Sequence, residues 1–257
     1  VELPINQIIC GNCVDVLKTF PLCGIDLVVT SPPYDNLRDY KGYDFPFEEI
    51  VLRLKNVLKT GGVIVWVVGD ATVDGSETGT SFEQALYFKK LGFNLHDTMI
   101  YAKNNYLPAQ KNSNRYANGF EYVFIFSKRK PKTFNPIKEK CIWGGKGKVG
   151  TFRGKNGETT QRNVIINEEK TISNIWFYEV GYMKSTKNKI AYQHPAIFSE
   201  QLAIDHIKSW SNPNDVVLDP MCGSGTTCVA AKQLGRNYIG IDVSNEYCKI
   251  AKERISL

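Results

Sequence analysis

Short apolar runs, each closed by a polar or glycine-rich turn, alternate along this chain with stretches whose apolar residues recur at helical spacing. That alternation predicts an α/β protein built on a mostly parallel sheet. Gln7 to Cys10 predicts an edge strand and Val14 to about Phe20 a short helix. Ile25 to Thr30 (IDLVVT) predicts a buried strand, stopped by Pro32-Pro33, whose rings hold the following chain extended. A helix from about Phe47 to Leu58 carries Ile50, Val51, Leu54, Val57 and Leu58 on one side. Gly61-Gly62 is expected to close it, and Val63 to Val68 to form a central strand. Asp70 to Thr80 reads equally as a mobile flap or a plain surface loop, and Ser81 is expected to cap a helix reaching Leu91. Thr98 to Ala102 and Tyr122 to Ser127 predict a hairpin whose polar tip, residues 103–119, is expected to be disordered without a partner. Helical spacing returns from Pro195 to Trp210.

The most specific stretch is Asp215 to Thr227 (DVVLDPMCGSGTT). Asp215 to Leu218 predicts a short buried strand with Asp219 at its carboxyl end, and a glycine turn then opens a helix from about Thr226 to Leu234. Glycines allow close backbone approach to a ligand, and a helix N-terminus offers free N–H donors, so the stretch predicts a nucleotide cradle. A second strand, Asn237 to Ile241, ends in Asp242, 23 residues after Asp219. That spacing suits a carboxylate holding ribose hydroxyls. Two common nucleotide loops are excluded. A P-loop requires Gly-Lys-Ser/Thr, whereas Thr226 follows Gly225, and the dinucleotide fingerprint requires a third glycine where Cys228 stands.

Charge adds a partner class, because it is unevenly placed. The net charge is +6, yet residues 128–190 alone hold 15 Lys/Arg against 5 Asp/Glu, which leaves the rest of the chain acidic. This segment has no sustained period, is broken by GGKGK and GKNG clusters, and intersperses Trp143, Phe152, Trp176, Phe177 and Tyr178. It predicts an inserted lobe with a phosphate-facing surface, in which Lys146, Lys148, Arg153 and Lys155 are candidate nucleic-acid contacts. A solvated, loop-rich insert is the alternative. No apolar run approaches the roughly 20 residues of a membrane span, and the Val-Glu-Leu-Pro start carries no signal pattern. A cytosolic protein without membrane association is therefore expected. The seven cysteines, scattered through apolar segments, are expected to be reduced, buried thiols. Cys10-Gly11-Asn12-Cys13 has no second pair to complete a zinc site, so no metal is expected.

Asp219-Pro-x-x-Gly-Ser-Gly-Thr-Thr227 resembles the S-adenosyl-L-methionine loop of DNA amino-methyltransferases, and Thr30-Ser31-Pro32-Pro33-Tyr34 resembles their catalytic Ser/Asp/Asn-Pro-Pro-Tyr/Phe motif. With the catalytic motif first, the basic segment second and the cofactor loop last, the order resembles the β-class permutation of that family. The resemblance implies a Rossmann-like methyltransferase with about seven strands in circularly permuted order. Its parts would be a catalytic half (1–127), a target-recognition insert (128–190) and a cofactor-binding half (191–257). It implies catalytic roles for Ser31, Pro32, Pro33 and Tyr34. The cofactor is expected against Thr30, Asp219, Pro220, Cys222, Gly223, Ser224, Gly225, Thr226 and Thr227, with Asp242 at the ribose. Gln193-His194-Pro195-Ala196-Ile197-Phe198 resembles the family's His-Pro-Ala segment, which places His194, Pro195, Ala196 and Phe198 along the methionine moiety; Ser199 stands where proline is usual. Gly11-Asn12-Cys13-Val14-Asp15 resembles the segment near the adenine, adding Asn12 and Asp15, although Asn12 replaces a common aspartate. Gly119-Phe120-Glu121-Tyr122 resembles the segment near the target base.

The residues make chemical sense of these roles. An amine conjugated to a base ring is a poor nucleophile, because its lone pair is delocalised. Acceptors at Ser31 Oγ and the Pro32 carbonyl would orient it for attack on a sulfonium methyl. Tyr34 would stack on a base flipped out of duplex DNA. The Pro-Cys nucleophile dipeptide of carbon-5 cytosine methyltransferases does not occur. Serine at position 31 favours cytosine-N4 as target, with adenine-N6 as the alternative. A methyltransferase for RNA or a small molecule would not require the basic insert, and a non-catalytic DNA-binding protein would not need both motifs. Double-stranded DNA is the expected partner, together with a cognate restriction endonuclease if the chain serves a restriction-modification system; monomer and homodimer both stay open.

Overall fold

Period-two alternation along the central strands sends apolar side chains to both faces of one sheet, and helices cover each face. The computed structural model describes residues 2–34, 45–109 and 114–257. Its elements in chain order are β1 (Gln7–Cys10), α1 (Cys13–Lys18), β2 (Ile25–Thr30), α2 (Phe47–Val57), β3 (Leu58–Val68), β4 (Thr72–Val73), β5 (Ser76–Glu77), α3 (Thr80–Lys90), β6 (Asn94–Lys103) and β7 (Phe120–Ser127). There follow β8 (Lys138–Lys140), β9 (Gly147–Arg153), β10 (Thr159–Ile165), β11 (Glu169–Thr171), β12 (Ile175–Tyr178), α4 (Glu200–Trp210), β13 (Val216–Asp219), α5 (Thr226–Gln233), β14 (Asn237–Asp242) and α6 (Asn245–Ser256).

The main sheet has eight strands in the order β1-β14-β13-β2-β3-β7-β6-β12. All run parallel except β7, which is antiparallel to both neighbours. Leu27, Val29, Val63, Val65 and Val67 pack on one face with Leu202, Ile207, Ala231 and Ala251 of α4, α5 and α6. Val28, Ile64, Trp66 and Val68 pack on the other with Leu17, Ile50, Leu54 and Phe88 of α1, α2 and α3. Burial on both faces is why these strands read as continuous apolar runs.

Three local expectations change. Gly61-Gly62 does not close α2; both glycines lie inside β3, which begins at Leu58. Gly61 adopts φ +81°, donates its N–H to the Lys128 carbonyl (2.7 Å) and accepts from Lys132 N (2.9 Å), absorbing the register shift between the Ile25–Leu58 and Leu27–Val63 pairs. Ser81 does not cap α3, whose N-cap is Gly79. Instead the Asp70 carboxylate, at the end of β3, accepts the Ser81 N–H (2.7 Å) and Oγ–H (2.6 Å), serving the helix N-terminus from outside. The loop between them contains the small β4–β5 hairpin. Cysteine burial is the third change: Cys222, Cys228 and Cys248 are buried, whereas Cys10 and Cys23 are exposed, and all seven are free.

Residues 1–135 and 174–257 make one compact unit, and residues 136–173 a second. The second is narrower than the expected 128–190 insert. Trp176, Phe177 and Tyr178 belong to β12, an edge strand beside β6, which gives the sheet its eighth strand. Trp176 stacks on His206 (4.7 Å between centroids), and Tyr178 donates to Asp205 (2.9 Å). The small unit consists of two antiparallel pairs, β9–β10 and β8–β11. The middle of the 103–119 tip, residues 110–113, lies outside the described residues.

Candidate active site

The carboxyl ends of β2, β3, β13 and β14 open onto a cavity of about 1100 Å³, the position where open α/β sheets bind ligands. At one end lies the turn after β13. Gly223 (φ +50°) and Gly225 (φ +80°) are both left-handed, and each is also closely approached. A Cβ on Gly223 would lie 2.8 Å from His194 Nε2, and one on Gly225 2.8 Å from the Ala251 Cβ of α6. The first approach keeps the loop against the His194 ring; the second seats the start of α5 on α6. Pro220, Met221, Cys222, Gly223, Ser224 and Thr226 line the cavity.

Asp242 ends β14 and also lines it. Its carboxylate accepts Gly223 N–H (2.8 Å) and Ser244 N–H (2.9 Å), tying the glycine loop to the second strand. Burial raises its pKa, partly offset by those two bonds. His194, Pro195, Ala196 and Phe198 form another wall. His194 Nδ1 accepts from Ala196 N (3.1 Å), and its ring meets Tyr247 edge-on at 4.2 Å. Asn12 lines the cavity too, but its carbonyl caps α1 by accepting Val14 N–H (2.8 Å), which leaves its amide NH₂ and one carbonyl lone pair for a ligand.

Five residues expected against the cofactor stand outside the lining: Asp15, Thr30, Asp219, Gly225 and Thr227. Asp15 is 72% exposed and paired with Lys18 (2.8 Å). Gly225 belongs to the loop itself, and the other three hold it from behind. Asp219, 2% exposed, accepts Thr30 Oγ1–H (2.8 Å) and Met221 N–H (3.2 Å), and Thr227 Oγ1 donates to the Val29 carbonyl (3.1 Å). Burial pushes the Asp219 carboxyl up to about 6 despite these bonds. Arg254, a buried cation on α6 that the sequence pattern did not single out, completes the support. It donates to Ser224 O (2.7 Å), Ser224 Oγ (3.0 Å) and Thr226 Oγ1 (3.2 Å), and faces Glu200 at 3.4 Å.

Ser31, Pro32, Pro33 and Tyr34 line the other end, with Asp70, Tyr101, Lys103 and Glu121. The Tyr34 ring lies against Gly69, 3.5 Å from where a Cβ would stand. Its single phenolic proton goes to Glu121 Oε2 (2.9 Å), and Glu121 Oε1 pairs with Lys103 (2.7 Å). Burial and the Glu121 charge hold the phenol's pKa well above its usual value, so that proton stays in place. Ser31 Oγ lies 2.8 Å from Tyr34 Oη. With the phenol's proton committed, Ser31 must donate to Tyr34, which leaves the serine oxygen its acceptor lone pairs. The charged pair thus fixes the polarity of the Ser31 hydroxyl. The sequence contained the GFEY segment as a pointer to Glu121, but nothing marked Lys103.

Lys146, Lys148, Arg153 and Lys155 all lie in the second compact unit, Lys148 and Arg153 on β9 and the other two beside its ends, and all are exposed. Among the described residues no group of three or more His, Cys, Asp and Glu side chains is arranged to hold a metal, and no helix is long and apolar enough to cross a membrane.

A cavity with a glycine loop and a carboxylate at one end and an oriented hydroxyl at the other has the organisation of a group-transfer site. A family model described as DNA methylase matches residues 25–253, and the chain belongs to that family. It is 56% identical over 238 residues to the orphan methyltransferase M.BamHII of Bacillus amyloliquefaciens, covering 91% of this chain and 89% of that one. It is 30% identical to the type II methyltransferase M.HinfI of Haemophilus influenzae, over 98% of this chain and 68% of the relative. Among solved structures, the PvuII DNA methyltransferase (cytosine-N4-specific) shares the fold with a TM-score of 0.71 at 21% identity, covering 96% of this chain and 85% of that one. An M1.HpyAVI–SAM complex matches with a TM-score of 0.61 at 26% identity, covering 96% and 98%. The chain is a DNA methyltransferase whose methyl donor is S-adenosylmethionine. The glycine cradle, closed to any Cβ at Gly223, and the Asp242 carboxylate fit that donor.

Proposed function

We propose that the enzyme methylates the exocyclic N4 amine of cytosine in duplex DNA by direct attack, with the base flipped into the Ser31–Tyr34 end of the cavity. When bound, S-adenosylmethionine supplies an electrophilic sulfonium methyl group. Asp242 and the 220–226 loop would hold its nucleoside and methionine parts, His194 and Ala196 the wall beside them. The observation that carries the reading is the polarity of the Ser31 hydroxyl, which Tyr34, Glu121 and Lys103 turn into an acceptor. An acceptor there takes an N–H of the amine and favours tetrahedral character at nitrogen, so its contribution grows toward the transition state. The Pro32 carbonyl offers a second acceptor. The Tyr34 ring, anchored through its hydroxyl, gives a stacking surface for the base. The cytosine-N4 specificity named for the PvuII enzyme agrees with serine at position 31.

Nucleoside mass spectrometry of DNA methylated by the purified enzyme tests this. 4-Methylcytosine is expected. 6-Methyladenine would overturn the base assignment and leave the acceptor mechanism standing, whereas 5-methylcytosine would overturn both, since it requires a covalent nucleophile.

A further inference from the structure

In the β9–β10 ribbon, Gly150, Phe152, Arg162 and Val164 share one face. The Phe152 ring comes within 3.1 Å of a Cβ position at Gly150, and the Arg162 guanidinium lies 5.8 Å from its centroid. Strand alternation puts Val149, Thr151 and Arg153 on the opposite face with Gln161, Asn163 and Ile165. That second face is exposed throughout, including Val149 at 61% and Ile165 at 78%. Val149 stands directly opposite Asn163, and Thr151 opposite Gln161. Among the described residues the Gln161 and Asn163 amides bond to no other group of the protein. Arg153 uses only Nε, toward the Gly157 carbonyl at 3.4 Å, and keeps both terminal nitrogens.

These are the side-chain types that read base edges: arginine for guanine, asparagine and glutamine for adenine, threonine and aliphatic groups for the thymine methyl. A two-stranded ribbon fits a major groove about 12 Å wide. Successive same-face pairs lie about 7 Å apart along the strands, roughly two base-pair steps. The charge is complementary, since residues 136–173 hold 8 Lys/Arg against 4 Asp/Glu. Lys146 and Lys155 flank β9, the former over the Trp143 ring at 4.6 Å.

We propose that this face of the β9–β10 ribbon enters the DNA major groove and sets the recognition sequence through Thr151, Arg153, Gln161 and Asn163, while Lys146 and Lys155 take flanking phosphates. The assignment rests on the chain acting on duplex DNA. The test is sequencing of modified bases in DNA treated with the wild-type enzyme or with a Gln161→Ala/Asn163→Ala variant, alongside sedimentation of both proteins without DNA. Because both side chains are exposed, the variant should fold and bind S-adenosylmethionine as the wild type does. It should lose discrimination at one or two positions of the target by roughly tenfold or more, while the others stay strict. Neutralising Lys146 and Lys155 should instead weaken binding to all sequences and reduce the salt slope by about 0.9 for each phosphate that is no longer neutralised. An unchanged recognition sequence in the alanine variant overturns the proposal. So does a wild-type dimer that the variant loses while keeping its site choice, which would assign the face to a second copy of the chain. Absence of methyl transfer by the wild type to any duplex would instead overturn the underlying reading.

Discussion

Replacing Glu121 by glutamine should reverse the hydrogen-bond chain that orients Ser31. In the native site the carboxylate accepts on both oxygens, from Lys103 at 2.7 Å and Tyr34 at 2.9 Å, and the Lys103 and Glu121 side chains are only 19% and 17% exposed. A glutamine has one acceptor and one donor end. An ammonium can only donate, so the amide must turn its carbonyl to Lys103 and its NH₂ to Tyr34. Tyr34 then accepts from the amide and gives its proton to Ser31 across the 2.8 Å separation, taking a serine lone pair that the proposed mechanism assigns to the substrate amine. If that lone pair stabilises the transition state as a charge-assisted bond, its loss costs about 1.5–3 kcal/mol, or roughly 10- to 150-fold in the chemical step. Single-turnover methyl transfer on DNA reads this directly, and calorimetry should show S-adenosylmethionine affinity unchanged within about twofold. Adding Lys103→Met removes the cation that dictates the amide's orientation, so Glu121→Gln/Lys103→Met should be faster than Glu121→Gln alone. A merely structural role would make the double variant worse. A single-turnover rate for Glu121→Gln within about threefold of the wild type, or a double variant slower than the single, refutes the polarity argument.

Asp242→Ala should weaken S-adenosylmethionine binding by about 1.5–3 kcal/mol, because the carboxylate no longer meets the ligand and the Gly223 and Ser244 N–H groups go unanswered; unchanged affinity by calorimetry removes Asp242 from the site. The Asp219 carboxyl, raised by burial to about 6, protonates more readily in the folded than in the unfolded chain. Its contribution to stability is therefore fully present below pH ~3.9 and is lost as pH rises through about 6, a change on the order of 3 kcal/mol. Urea unfolding of wild type and Asp219→Asn across pH 4 to 7 should show the wild-type advantage shrinking over that window, and a constant difference would contradict the assignment.

What the sequence made legible was contiguous. The strand, glycine turn and helix around Asp219–Thr227 lie on one segment, so residue types and spacing sufficed to place them. Arg254 was hidden because a cation on an amphipathic helix ordinarily faces water, and only the fold brings α6 behind the loop to use it. Lys103 was hidden for another reason, and so was the link from Glu121 to Tyr34: the three meet from β6, β7 and the end of β2, so no spacing along the chain records the trio. Gly61-Gly62 misled because a glycine pair after a helical run has the composition of a C-cap, whereas here it accommodates a bulge inside a strand. The aromatics of β12 misled because they follow a basic insert, and composition alone cannot divide a lobe from the edge strand that succeeds it.

The residues expected against the cofactor that stand behind the cavity lining explain how its two ends can come from opposite ends of the sequence. β2 and β13 are parallel neighbours with Leu27 opposite Val217 and Val28 opposite Leu218, so both chains reach the cavity together. The hydrogen bond from Thr30 to Asp219 then ties the residue before Ser31 to the residue before the glycine loop, and Thr227 adds a second tie to the Val29 carbonyl. The two ends of the cavity are held in register by the adjacency of two strands and by buried bonds at their tips, none of which depends on which strand comes first in the chain. Ser31–Tyr34 can therefore precede the glycine loop in the chain, with residues 136–173 between them in sequence, without disturbing the geometry of the cavity.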